Sequence, residues 1–113
     1  MGNDMARIEP RHEGMRIGGE RVFTQRVIEV RYPYTGEVVG TVPAGTAEHA
    51  ARAFRIAADY RPKLTRYERS QILKRAGELI GERRDYLAKW LVLELGICWQ
   101  HAVYETKRAQ DVY

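Results

Sequence analysis

Cysteine is almost missing from this chain of 113 residues, where Cys98 stands alone. No internal disulfide can form, and no Cys/His cluster has the spacing of metal ligands, so a disulfide scaffold and a zinc-held fold are both set aside. Long apolar runs are missing too. Nothing approaches the ~20 residues that span a bilayer, and the first residues lack the continuous apolar stretch of a secretory signal. The default expectation is a cytoplasmic protein that does not engage a membrane. Internal repeats and low-complexity stretches are likewise absent. What is there is 44% hydrophobic and 30% charged residues, the balance of an ordinary globular chain of one small domain.

The charge leans one way, with 19 Lys and Arg against 15 Asp and Glu for a net +4. Much of the basicity falls between Arg52 and Lys89, which raises the alternative of a small basic helical module that binds nucleic acid or an acidic protein. Opposite charges at i,i+4 argue against it: Glu48/Arg52, Arg55/Asp59, Lys74/Glu78 and Asp85/Lys89 read as solvated helix faces with partners. No aromatic-interleaved basic stripe accompanies them, and a nucleic-acid partner is not expected.

Residues 1–14 are polar and aperiodic and read as a mobile tail. Met15-Arg16-Ile17 and Glu20-Arg21-Val22-Phe23 then flank Gly18-Gly19, a pair suited to a tight β-hairpin because glycine tolerates positive φ. A second β pair follows, Val27, Ile28 and Val30 against Val38, Val39, Thr41 and Val42, with Pro33 and Gly36 supplying the turn. Thr46 caps a helix from Ala47 to about Tyr60, and Pro62 stops its continuation. Thr65-Arg66-Tyr67-Glu68 is a capping box for the next helix, whose apolar stripe is Ile72, Leu73, Ala76, Leu79 and Ile80. A third helix, about Arg84 to Leu95, presents Leu87, Trp90, Leu91 and Leu95, with Gly96 as its C-cap. From His101 a fourth carries Ala102, Thr106, Ala109 and Tyr113 on one face with no stop signal before the sequence ends. This implies a chain cut within a domain.

The series "IGGE", "YPYTGEVVGTVP", "AEHAARAF", "LTRYERSQIL", "LVLELG" and "YETKRAQD" resembles, in order and spacing over residues 15–113, the N-terminal portion of an aldehyde dehydrogenase. The implied fold class is α/β: two short β pairs followed by about four helices, the beginning of an NAD-binding domain and incomplete as it stands. Within the family, "GTVPAGTAEHAARAF", "KLTRYERSQIL" and "LELGIC" are most similar to the branch that oxidises phosphonoacetaldehyde with NAD. Trp99-Gln100-His101 departs from that branch's more polar stretch and leaves the aldehyde's identity open.

For the whole enzyme the resemblance implies attack of a cysteine thiolate on the aldehyde, hydride transfer to NAD, and release of the acid by an activated water. It also implies a small-molecule aldehyde substrate and a homo-oligomer. The nucleophile, base, oxyanion donor and cofactor turn of the family all belong further along the chain, so no catalytic or cofactor-binding residue is assigned here and the 113 residues alone are expected to be inactive. Cys98, in Gly96-Ile97-Cys98-Trp99, matches an interhelical turn rather than the nucleophile motif. His49 and His101 read as surface or satisfied side chains, and Gly18-Gly19 as a hairpin rather than a phosphate loop. Substrate binding falls to Arg108, at the place where branches that accept phosphonylated or phosphorylated aldehydes carry an arginine. Its planar donor fork suits such an anion. Tyr104, one turn earlier, is either a hydroxyl donor to the same substrate or a packing residue.

Overall fold

The computed structural model describes residues 9–113, which form two compact units that divide at Arg61/Pro62. The first unit holds five short strands and a helix: β1 (Arg11–His12), β2 (Met15–Ile17), β3 (Glu20–Val22), β4 (Val27–Arg31), β5 (Val38–Pro43) and α1 (Ala47–Asp59). The second holds three helices: α2 (Arg66–Glu82), α3 (Arg84–Leu95) and α4 (Trp99–Val112).

Both β pairs form where the turn residues place them. Gly18 and Gly19 take φ of 59° and 86°, the left-handed values a two-residue hairpin needs, and β2 pairs antiparallel with β3. Gly36, at φ 76°, donates its N–H to the Tyr32 carbonyl at 2.8 Å and closes the longer turn between β4 and β5. Those two strands pair from Val27↔Pro43 to Arg31↔Val38, with an irregularity between Val30 and Arg31. Val39, Ile17 and Ala44 are among the buried apolar residues of this unit.

One strand lies where an aperiodic tail was expected. Arg11–His12 pair parallel with β5, as Arg11↔Gly40 and His12↔Thr41, giving a three-stranded sheet in the order β1-β5-β4. Glu13 N–H extends the ladder to the Thr41 carbonyl at 3.1 Å, and the Glu13 carboxylate pairs with both Arg11 and Arg21. Residues 11–13 thus join a sheet where an aperiodic tail was expected; the first eight residues of that expected tail lie outside the described part. The strand escapes a local reading because two residues carry no periodicity, and the pairing depends on β5, far along the sequence.

The first two helices start at the expected caps, while α4 begins at Trp99, two residues before the expected His101. Thr46 Oγ1 accepts from the His49 N–H at 3.4 Å while His49 Nδ1 accepts from the Thr46 N–H at 3.1 Å, a capping box with imidazole in the place usually held by Glu or Gln. Thr65 and Glu68 form the standard version at 3.2 and 2.7 Å. Gly96 ends α3 at φ 69°, its N–H bonded to the Val92 carbonyl.

The buried faces differ from the expected ones. On α2, Ile72 and Leu73 are exposed, while Gly77 is buried. A Cβ on Gly77 would stand 3.3 Å from Tyr113 Cβ and 3.4 Å from the Gln110 carbonyl, and one on Gly81 would meet the Gln110 side chain at 2.6 Å. Small residues one turn apart thus let α4 approach α2 closely. On α3 the buried residues are Ala88, Val92 and Leu93, and Leu95 is exposed. Ala88 and Val92 form a core with Ala102 of α4, and Leu91, Ile97 and Val103 pack around it. On α4, Ala102 and Thr106 are buried as expected but Ala109 and Tyr113 are not. Thr106 satisfies its hydroxyl on the Val103 carbonyl at 2.8 Å.

The charge pairs also shift partners. Arg52 reaches Glu20 on β3 at 2.8 Å rather than Glu48 on its own helix, and Glu78 is taken by Arg75, which also holds Glu82.

Candidate functional site

Arg108 lies in the third turn of α4, and its side chain is 61% exposed. Helical spacing gives it two neighbours from the same helix. Glu105, three residues earlier, accepts from Nη1 with both carboxylate oxygens, at 3.1 and 3.2 Å. Tyr104, four residues earlier, sets its ring 5.8 Å from the guanidinium carbon, within cation–π range. Tyr104 and Arg108 therefore share a face, and the ring of Tyr104, rather than its hydroxyl, is the part engaged. Glu105 has no place in the sequence reading, although its i,i+3 spacing to Arg108 is the signal that finds it. Lys107 adds a second exposed cation on the adjoining face.

The other residues weighed from the sequence take structural places. Cys98 is exposed and stands at the N-cap of α4 without a side-chain capping bond. His49 is half-buried, with Nδ1 committed to the cap of α1, and His101 is exposed. Among the described residues no group of His, Cys, Asp and Glu is arranged to hold a metal ion, and no helix is long and apolar enough to cross a membrane.

A dinucleotide needs backbone N–H groups gathered at a glycine-rich turn that opens a helix. Gly18-Gly19 joins two antiparallel strands instead, and a Cβ on Gly18 would stand 3.0 Å from Ile56 of α1, so the turn packs on a side chain and leaves no cradle for a phosphate. These residues do not fit a nicotinamide cofactor. The arrangement presents an exposed cation at Arg108, and among the described residues the Cys98 thiol is not hydrogen-bonded to a base.

The profile of the aldehyde dehydrogenase family matches residues 22–113. Among characterised relatives, glutarate-semialdehyde dehydrogenase of Pseudomonas putida is 45% identical over 75 residues, covering 63% of this chain and 15% of its own length. The 1-pyrroline-5-carboxylate dehydrogenase 2 of Halalkalibacterium halodurans is 34% identical over 103 residues, covering 84% and 19%. Among solved structures, 1-pyrroline-5-carboxylate dehydrogenase of Thermus thermophilus superposes with a TM-score of 0.84 at 30% identity, over 90% of this chain and 20% of that one. The lactaldehyde dehydrogenase of Escherichia coli gives 0.82 at 30% identity, over 91% and 23%. The chain thus spans about a fifth of the length of the relatives it matches. With the family profile matching most of its residues and the α/β arrangement matching the solved enzymes, the chain belongs to the aldehyde dehydrogenase family.

Proposed function

We propose that this chain is the N-terminal part of a cytoplasmic, homo-oligomeric, NAD-dependent aldehyde dehydrogenase that oxidises a phosphonate-bearing aldehyde to its carboxylic acid, with Arg108 binding the phosphonate. The 113 residues alone are inactive. NAD accepts the hydride and is held by residues outside this chain, as are the nucleophile and base. The observation that carries the reading is the exposed guanidinium of Arg108 on a regular helix, supported from below by Tyr104. A fixed planar donor fork is the group that best matches two oxygens of a tetrahedral dianion. The sequence likeness to the phosphonoacetaldehyde branch supplies the substrate class.

A second reading is favoured by the relatives. Glutarate-semialdehyde, succinate-semialdehyde and 1-pyrroline-5-carboxylate dehydrogenases act on substrates that carry a carboxylate, which the same fork binds, and the succinate-semialdehyde and D-glyceraldehyde relatives are named as NADP enzymes. The test is kcat/KM of the enzyme carrying this segment for phosphonoacetaldehyde, succinate semialdehyde and an uncharged aldehyde, each with NAD and NADP. Preference for the phosphonate with NAD supports the proposal. Preference for the carboxylate moves the assignment to the second reading, and indifference to the anion overturns both.

A further inference from the structure

Arg108 is held on two sides and open on the third. Nη1 is occupied by Glu105, and the Tyr104 ring lies 5.8 Å from the guanidinium carbon. Nε and Nη2 have no hydrogen-bond partner among the described residues. These two nitrogens form one edge of the guanidinium and carry the parallel N–H pair that chelates carboxylate or phosphonate oxygens. The Glu105 pair therefore leaves the side-on fork of Arg108 available. Both supports come from α4 at fixed helical offsets, so they need no other element to be in place.

We infer that Glu105 and Tyr104 are positioning residues: they restrict the guanidinium so that its Nε–Nη2 edge is free to chelate a two-oxygen anion on the aldehyde. The inference rests on the anion-binding role proposed above for Arg108. Glu105 neutralises one end of the guanidinium, while Tyr104 limits rotation of its plane. The energetic value of an exposed ion pair is small. Its consequence here is orientation, which lowers the ordering cost of binding and so falls on KM.

The experiment measures kcat and KM for phosphonoacetaldehyde and for an uncharged aldehyde of similar size, in the enzyme carrying this segment and in its Glu105→Ala, Glu105→Gln, Tyr104→Leu, Tyr104→Phe and Arg108→Ala variants. Glu105→Ala is expected to raise KM for the anionic aldehyde about three- to fivefold, the scale of one exposed pair, with kcat and the uncharged substrate unchanged. Glu105→Gln keeps an oxygen acceptor for Nη1 and should restore most of the loss. Tyr104→Leu should raise the same KM and Tyr104→Phe should not, because the ring and not the hydroxyl is used. In an Arg108→Ala background, Glu105→Ala should have no further effect.

A lower KM in Glu105→Ala would show that Glu105 competes with the substrate anion and would overturn the positioning role. So would equal changes for both substrates, or additive losses in the double variant. If Arg108→Ala itself leaves the preference for the anion intact, the proposed role of Arg108 fails and this inference fails with it. A loss in Arg108→Ala without coupling to Glu105 removes the positioning role alone.

Discussion

The carbonyl oxygen of Arg11 lies 2.6 Å from the position that a Cβ on Gly40 would occupy. No real Cβ tolerates backbone so near, so β1 can pair with β5 at this register only because residue 40 has no side chain. Gly40→Ala is expected to push β1 out of the sheet while the antiparallel β4–β5 ladder survives. Amide hydrogen exchange reads this directly: the Glu13 N–H, bonded to the Thr41 carbonyl at 3.1 Å, should lose its protection, and the Ile28 and Val30 amides should keep theirs. Unchanged protection at Glu13 would contradict the requirement for glycine.

The cap of α2 gives a pH-dependent prediction. Glu68 accepts from the Thr65 N–H and from its hydroxyl, each at 2.7 Å, and these bonds, the backbone one foremost, hold its carboxyl below the usual carboxylate range. A depressed carboxylate adds stability that is fully present above its unfolded-state pKa and is lost as pH falls through the lower folded value. The stability difference between the chain and its Glu68→Gln variant should therefore be steady near neutrality and shrink in acid. Thr65→Ala removes the other half of the box and should cost about 1 kcal/mol. Thermal unfolding of the three proteins across pH checks both statements; a difference that grows in acid would reverse the sign.

Leu93 and Leu95 separate the observed face of α3 from the one expected from periodicity. Leu93 is 2% exposed and Leu95 is 60% exposed. Leu93→Ala should destabilise by about 2–5 kcal/mol, the cost of a cavity that cannot fully collapse, and Leu95→Ala by about 0.5 kcal/mol or less. Denaturant unfolding of the two variants ranks them. Equal losses would return Leu95 to the buried stripe.

The two leucines also show what could be read from the chain alone. Turns and caps were legible at Gly18-Gly19, Gly36, Thr46, Thr65-Glu68 and Gly96, because each depends on φ or a hydrogen bond within a few residues. Which helix face is buried depends instead on a neighbour supplied from elsewhere. Periodicity weights large apolar residues, so it favoured Ile72 and Leu73, whereas the close approach of α2 to α4 selects the smallest ones, Gly77 and Gly81. At the candidate site, the i,i+4 spacing of Tyr104 and Arg108 made their shared face legible, whereas Glu105, the residue bound to the guanidinium, is invisible to a reading centred on isolated donors.

Cys98 gives the last prediction, in which a helix cap is distinguished from a nucleophile. Its backbone has the extended conformation of an N-cap, at φ −69° and ψ 155°, but its side chain makes no capping bond to α4. Serine at the same position has an oxygen that accepts readily from the free N–H groups of the first turn, whereas sulfur accepts weakly. Cys98→Ser should therefore stabilise α4, by about 0.5–1 kcal/mol, as one cap bond added at an exposed site. Turnover of the enzyme carrying this segment should not change, because among the described residues the exposed thiol has no base as a hydrogen-bond partner. The measurement is a pair: melting temperature of the variant, and its rate of NAD(P)H formation with whichever aldehyde the enzyme carrying this segment oxidises. A rise in stability at constant rate identifies a capping position; a loss of turnover by orders of magnitude with the fold intact would make Cys98 the attacking thiol.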